Sequence, residues 1–255
     1  MALVIPMIVA TAVAQSPKMD QTKTAELRQT LDALGIKYWT AAVYSPPSEA
    51  ELAQMPERYR SLVANGMCVL DLHDRKGIDL RPLSKFPLTH LSLDQTDVSD
   101  ISAVKDMPLV QLGLHFAPIT DISPLRGKKL FEVDLRGTRV TDISALEGMP
   151  IERLDLTFTV VSNITPVLKL PKLDTLYLSY TSVRDLRPLR QATQLRRLYL
   201  PDQIDAGLDD VREMKWLTHL AYGDSDFLPA VAFWKKYDAG ALKPSTRKWT
   251  PKPQP

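Results

Sequence analysis

The 255-residue chain predicts an α/β solenoid, with a parallel sheet lining its concave side and short turns or single helical turns on its convex side. Two observations carry this expectation. Nearly the same phrase occurs as "TDVSDISAVKDMP" at residues 96–108 and "TRVTDISALEGMP" at residues 138–150. Apolar residues also open eight units, at Met67, Leu88, Leu109, Leu130, Ile151, Leu173, Leu195 and Leu217, spaced 21 residues apart as far as Ile151 and 22 thereafter.

Within a unit the wording is L-x-x-L-x-L-x-x-T-x-V-x-D-I-S-x-L, seen most fully at residues 88–104 and 173–189. The L-x-L step places Leu91 and Leu93 on one face of a short strand and turns His90, Ser92 and Asp94 outward. One strand cannot bury its leucines alone. Stacked units would align Leu70, Leu91, Leu112, Val133, Leu154, Leu176, Leu198 and Leu220 as a continuous apolar row. About ten residues per unit remain to return the chain, too few for a long helix.

The polar letters that repeat read as structure. Asp79, Asp100, Asp121, Asp142, Asp185 and once Asn163 precede the return segment, where each can accept backbone N–H bonds. Thr96, Thr138, Thr159 and Thr181 carry hydroxyls able to bridge backbone groups between coils. The pattern resembles the short, internalin-like class of bacterial leucine-rich repeats over residues 67–222. Its T-x-V-x-D-I-S-P-L wording, with the ending "PAVAFWKKYDAG" at residues 229–240, is similar to repeat modules that follow the kinase domain in some bacterial serine/threonine kinases. No kinase motif is present here.

The two ends divide into segments of different character. Residues 1–14 form an uncharged apolar run closing on Ala12-Val13-Ala14, the pattern of a secretory signal peptide cleaved before Gln15, although no Lys or Arg precedes it. Residues 15–66 predict a helical cap: Leu27, Leu31 and Leu34 share one helical face, and Ser48 with Glu51 starts a second helix with Leu52, Met55, Tyr59, Leu62 and Val63. Units seven and eight are irregular, with a helix expected over 206–214. Residues 223–242 predict a helical cap begun by Pro229 and bearing Phe233, Trp234 and Tyr237. Residues 243–255 are basic and proline-rich, the composition of a disordered tail.

Net charge +2 gives no basis for nucleic-acid binding, and the mature chain has no run long enough to span a membrane. Cys68 is the single cysteine, expected to pack. No cofactor is implied. Function is therefore sought in three outward rows. The first is Val69, His90, Gln111, Glu132, Arg153, Thr175, Arg197 and His219. The second is Asp71, Ser92, Gly113, Asp134, Asp155, Tyr177, Tyr199 and Ala221. The third is His73, Asp94, His115, Arg136, Thr157, Ser179, Pro201 and Gly223.

Arg153, Asp155, Tyr177, Arg197, Tyr199 and Tyr180 are the candidates for binding a protein or peptide, because tyrosine and arginine bury large area while keeping polar tips. Stacking of Tyr177 on Tyr199, with Phe158 and Tyr180 packed into turns, is the plain structural alternative. His73, Asp94 and His115 form a candidate metal set on adjacent strands, expected otherwise to be solvated surface. Ser92 beside them lacks the surroundings of a hydrolase nucleophile. The reading is a non-catalytic, exported interaction module; an intracellular scaffold related to kinase-linked repeats is the alternative, and a metal-dependent enzyme ranks last.

Overall fold

The computed structural model describes residues 18–38, 40–54, 60, 66–223 and 225–244. The apolar run, the second helix beyond residue 54 and the tail beyond residue 244 lie outside them. Among the described residues one sheet of ten strands follows chain order. Its parallel body is β2 (Met67–Asp71), β3 (His90–Ser92), β4 (Gln111–Gly113), β5 (Glu132–Asp134), β6 (Arg153–Asp155), β7 (Thr175–Tyr177), β8 (Arg197–Tyr199) and β9 (His219–Ala221).

The register joins Leu70, Leu91, Leu112, Val133, Leu154, Leu176, Leu198 and Leu220 rung by rung, each no more than 2% exposed. Burying one such leucine contributes roughly 1.5–3 kcal/mol relative to leaving it in water. No unit holds that face dry without its neighbours, which is why the wording repeats.

The chain returns through single 3-10 turns, including Arg81–Lys85, Ser102–Val104, Ser123–Leu125 and Ser144–Leu146. Each turn is entered beneath the recurrent acid. Asp79, Asp100, Asp121, Asp142 and Asp185 accept the backbone N–H two residues on at 2.7–2.9 Å, and Asn163 does the same at 2.9 Å. In the D-I-S units the serine hydroxyl also donates to that carboxylate; in the D-L-R units an arginine fork replaces it. The threonines differ from expectation. Thr96, Thr138, Thr159 and Thr181 donate to the carbonyls of Leu93, Leu135, Leu156 and Leu178, so they close the bend of their own coil instead of bridging coils.

Both ends of the sheet are closed by strands that reverse direction, and the sequence did not announce either. β1 (Thr40–Tyr44) pairs antiparallel with β2, and β10 (Leu228–Pro229) pairs antiparallel with β9. Helix α1 (Gln21–Ala33) then seals the free edge of β1. Thr24 Oγ1 accepts from Val43 N at 2.9 Å, while Arg28 Nε donates to Ala41 O at 2.9 Å. Capping the groups on an edge strand removes a template for unwanted pairing.

The buried face of α1 is Thr24, Leu27 and Leu31; Leu34 sits at the C-cap and is 43% exposed, because the helix stops one residue before it. Helix α2 (Glu49–Gln54) follows β1. At the other end, α3 (Leu208–Glu213) lies within the segment expected to be helical, and α4 (Ala230–Asp238) starts just after Pro229. Phe233 of α4 is fully buried, and Arg212 clamps α3 to α4 through Asp238 at 2.6 and 3.1 Å.

Candidate interaction face

Because the register is unbroken, the first two outward rows run straight across the concave sheet. The structure brings part of the candidate set together on its C-terminal half. Tyr177 and Tyr199 stack with centroids 6.1 Å apart and planes 26° from parallel. Arg153 lies over Tyr177, its guanidinium carbon 4.6 Å from the ring centroid, and its Nη2 is 3.9 Å from Asp155. Phe227 presents its ring to both tyrosines at 5.6 and 5.8 Å, edge to face. Sequence reasoning missed Phe227, since it stands in the irregular loop after β9 where the period gives no position.

The tyrosines are also held from behind. Tyr199 Oη donates toward the carbonyls of Gly223 and Ser225, 2.5 and 2.9 Å away, tying the concave sheet to that loop. Arg197 turns to the entry edge, where Nη2 meets Asp174 at 2.8 Å and leaves the side chain half exposed. It therefore flanks the aromatic cluster.

Tyr180 does not join the concave cluster. It occupies the bend after β7 at φ +54, in the left-handed region also used by Phe116 and Phe158, and its N–H donates to Asp202 Oδ2 at 2.6 Å. Tyr180 stacks on Phe158 with centroids 4.4 Å apart, and Phe158 stacks on Phe116 at 6.2 Å, forming a ladder along the exit rim. Phe158 and Tyr180 thus line the edge instead of sinking into the turns. The equivalent position between Phe116 and Phe158 is Gly137, at φ +67, where an added Cβ would lie 2.0 Å from the Phe116 ring. Phe116 spans the rung that glycine leaves open.

The N-terminal half has a different chemistry. His73 Nδ1 is 2.8 Å from Asp71 Oδ1, whereas Asp94 Oδ1 accepts the backbone N–H of His115 at 2.8 Å and the His115 ring packs against Phe116. The three metal candidates face different partners, and among the described residues no three metal-ligating side chains converge. Nor are these positions simply solvated: Asp94 is 9% exposed and His73 and His115 are half-buried, while their neighbours His90 and Ser92 are 4% and 0% exposed. Strands about 4.8 Å apart crowd such side chains together. Gly113 completes the effect, because a Cβ there would meet Asp94 Oδ1 at 2.7 Å; the carboxylate leans over the vacancy.

Burial sets the acid–base behaviour of this half. It pushes the Asp94 carboxyl up to about 6, helped by the Asp134 and Asp71 carboxylates and opposed by the His115 N–H. It lowers His90 to about 4, and raises Glu132 and Asp155 above the ordinary carboxylate range. Cys68, buried on β2, is pushed up to about 11, the behaviour of a packing residue and not of a reactive thiol.

A scan against protein-family profiles and a search of curated proteins find no match. Solved structures do match. Internalin C2 of Listeria monocytogenes aligns over 82% of this chain and 98% of its own, at 23% identity and a TM-score of 0.55. The chain has the internalin-like leucine-rich-repeat fold. Internalin InlF of the same organism aligns over 88% of this chain and 66% of its own, at 20% identity and a TM-score of 0.50. At such identities the likeness concerns the fold of the internalin-like solenoid, and its site chemistry rests on the side chains described above. No helix among the described residues is long and apolar enough to cross a membrane.

Proposed function

We propose that the chain is a non-catalytic, exported interaction module whose concave sheet receives a protein or peptide. The observation that carries this reading is the cluster of Tyr177, Tyr199 and Phe227 with Arg153 laid across it. These rings are only partly buried, fixed by mutual packing and by the Tyr199 hydroxyl, so little side-chain entropy is lost when a partner covers them. Arg197 and Asp155 flank the cluster, while Tyr180 stands apart from it on the exit rim, stacked on Phe158. The apolar run at residues 2–14 supports export.

The test is capture of partners by the wild-type chain against an Arg153→Ala, Tyr177→Ala, Arg197→Ala variant that retains its thermal transition, with detection in both cell and medium fractions. A partner retained by the wild type and lost by the variant supports the concave face. Equal capture moves the interface elsewhere. A chain found only in the cytoplasm with residues 1–14 intact would replace export with the intracellular scaffold reading.

A further inference from the structure

The concave face is electrically lopsided. Its rows over β2 to β6 carry Asp71, Asp94, Glu132, Asp134 and Asp155 against Arg136 and Arg153, whereas over β7 to β9 they carry Arg197 and no carboxylate. Most of those acids are engaged. Asp71 accepts from His73, Asp134 takes the Arg136 fork at 2.6–3.1 Å, Asp155 accepts Thr157 N at 3.0 Å, and Glu132 accepts from Gln111 at 3.0 Å.

Asp94 is the exception in that, among the described residues, no side chain donates to its carboxylate and no cation lies within ion-pair distance; the one hydrogen bond it accepts is the His115 backbone N–H on Oδ1. Arg136, the nearest cation to act on it, is committed to Asp134 and leans toward Asp155. Next to it on the same face Ser92 Oγ is wholly buried and has no hydrogen-bond partner among the described residues. Ser92 and Gly113, the smallest concave residues of this half, are both buried and form the floor beneath the Asp94 carboxylate, between the larger Asp71 and Asp134.

We propose that this floor is the receptor for a cationic side chain, lysine or arginine, presented by the protein partner, with Asp94 as its counter-ion above Gly113. The inference rests on the concave face being the binding face and names the partner's chemistry there. A divalent ion requires three or four converging ligands, which these splayed positions do not supply. A guanidinium or ammonium on a flexible stem needs one or two acceptors and reaches them from above. The adjoining aromatic cluster calls for an apolar residue on the same partner. From β4 to the midpoint of β7 and β8 is about 17 Å across the sheet, which an extended segment covers in about five residues.

The field here supplies a signature. Burial and the neighbouring Asp134 and Asp71 carboxylates hold the Asp94 proton up to about pH 6, with Arg136 opposing and His73, His90 and His115 also facing the site. A bound cation favours the ionised form, so binding weakens as pH falls below that point.

The experiment is titration of the isotopically labelled full chain with N-acetyl-L-arginine amide, N-acetyl-L-glutamate and calcium chloride, followed at the Gly113 and His115 amides by NMR. The expected result is a saturable shift with the arginine amide at pH 7.5, at least several-fold weaker at pH 4.5 and in Asp94→Asn, and absent with the glutamate. Gly113→Ala, which pushes on the carboxylate, weakens it too. Equal responses to both organic probes, or no effect of pH, overturn the proposal; a response to calcium alone assigns the site to a metal ion instead. No partner is needed for these measurements. A partner captured through Tyr177 alongside a silent titration would leave the binding face standing and remove only the cation receptor.

Discussion

Arg153 and Tyr177 sit on neighbouring strands with the guanidinium carbon 4.6 Å from the ring centroid, an arrangement that fixes the centre of the concave aromatic cluster before any partner arrives. At exposed sites such a contact is worth about 0.5–1 kcal/mol. Since Arg153 is 57% exposed, the low end applies, and a double-mutant cycle of Arg153→Ala with Tyr177→Ala is expected to show coupling of about 0.5 kcal/mol in urea unfolding. Additive effects would mean that Arg153 is free in solution.

Thr138 tests the repeated threonine. Its hydroxyl is fully buried and donates to Leu135 O at 2.6 Å. Thr138→Val keeps the shape and removes this bond but leaves the same carbonyl its backbone N–H from residue 138 at 3.1 Å, so a loss of about 0.5–1.5 kcal/mol is expected in urea unfolding. A neutral substitution would show that the backbone N–H alone satisfies the carbonyl.

These threonines mark the boundary of what the chain discloses in one dimension. The leucine row and the aspartate caps were legible because each repeats at a fixed interval: the aspartates act within one coil, and the leucines need only that equal coils stack. The threonine row was legible too, but not the carbonyl it would choose. β1 and β10 escaped notice for another reason: "TAAVY" pairs with Met67–Asp71 across a segment with no short turn, and the two residues of β10 carry no alternation to read. Phe227 lies outside the period altogether. The burial of Asp94 depends on the missing side chain of Gly113 one coil away, a relationship between rungs that appears only once the register is known.

Gly137 combines two constraints that can be separated. Gly137→Ala places a Cβ at φ +67 and against Phe116, and a cost of about 1–3 kcal/mol is expected from the backbone alone. Adding Phe116→Ala removes the ring without curing the backbone. The double variant should recover only part of the loss in thermal unfolding; full recovery would assign the whole effect to the ring.

His90 and Asp94 pull stability in opposite directions over nearly the same pH range. Asp94 holds its proton up to about pH 6 when folded but releases it near 4 when unfolded, so its contribution falls as pH rises between those values. His90 resists protonation down to about pH 4 when folded but takes a proton near 6.5 when unfolded, so its contribution rises over that window. Asp94→Asn is therefore expected to steepen the loss of stability on acidification from pH 6.5 to 4. His90→Gln is expected to shift the slope the other way. Parallel pH profiles for wild type and both variants would remove the assigned environments.

The concave face is tested most directly by placing a photo-crosslinking residue at Tyr177 and, in a second chain, at the exposed Lys169 on the convex side, and comparing the adducts formed with lysate and medium of the source organism. A discrete adduct from position 177, competed by unlabelled wild-type chain and missing from position 169, is the predicted result. An adduct formed from position 169 and not from 177 would contradict binding on the concave sheet.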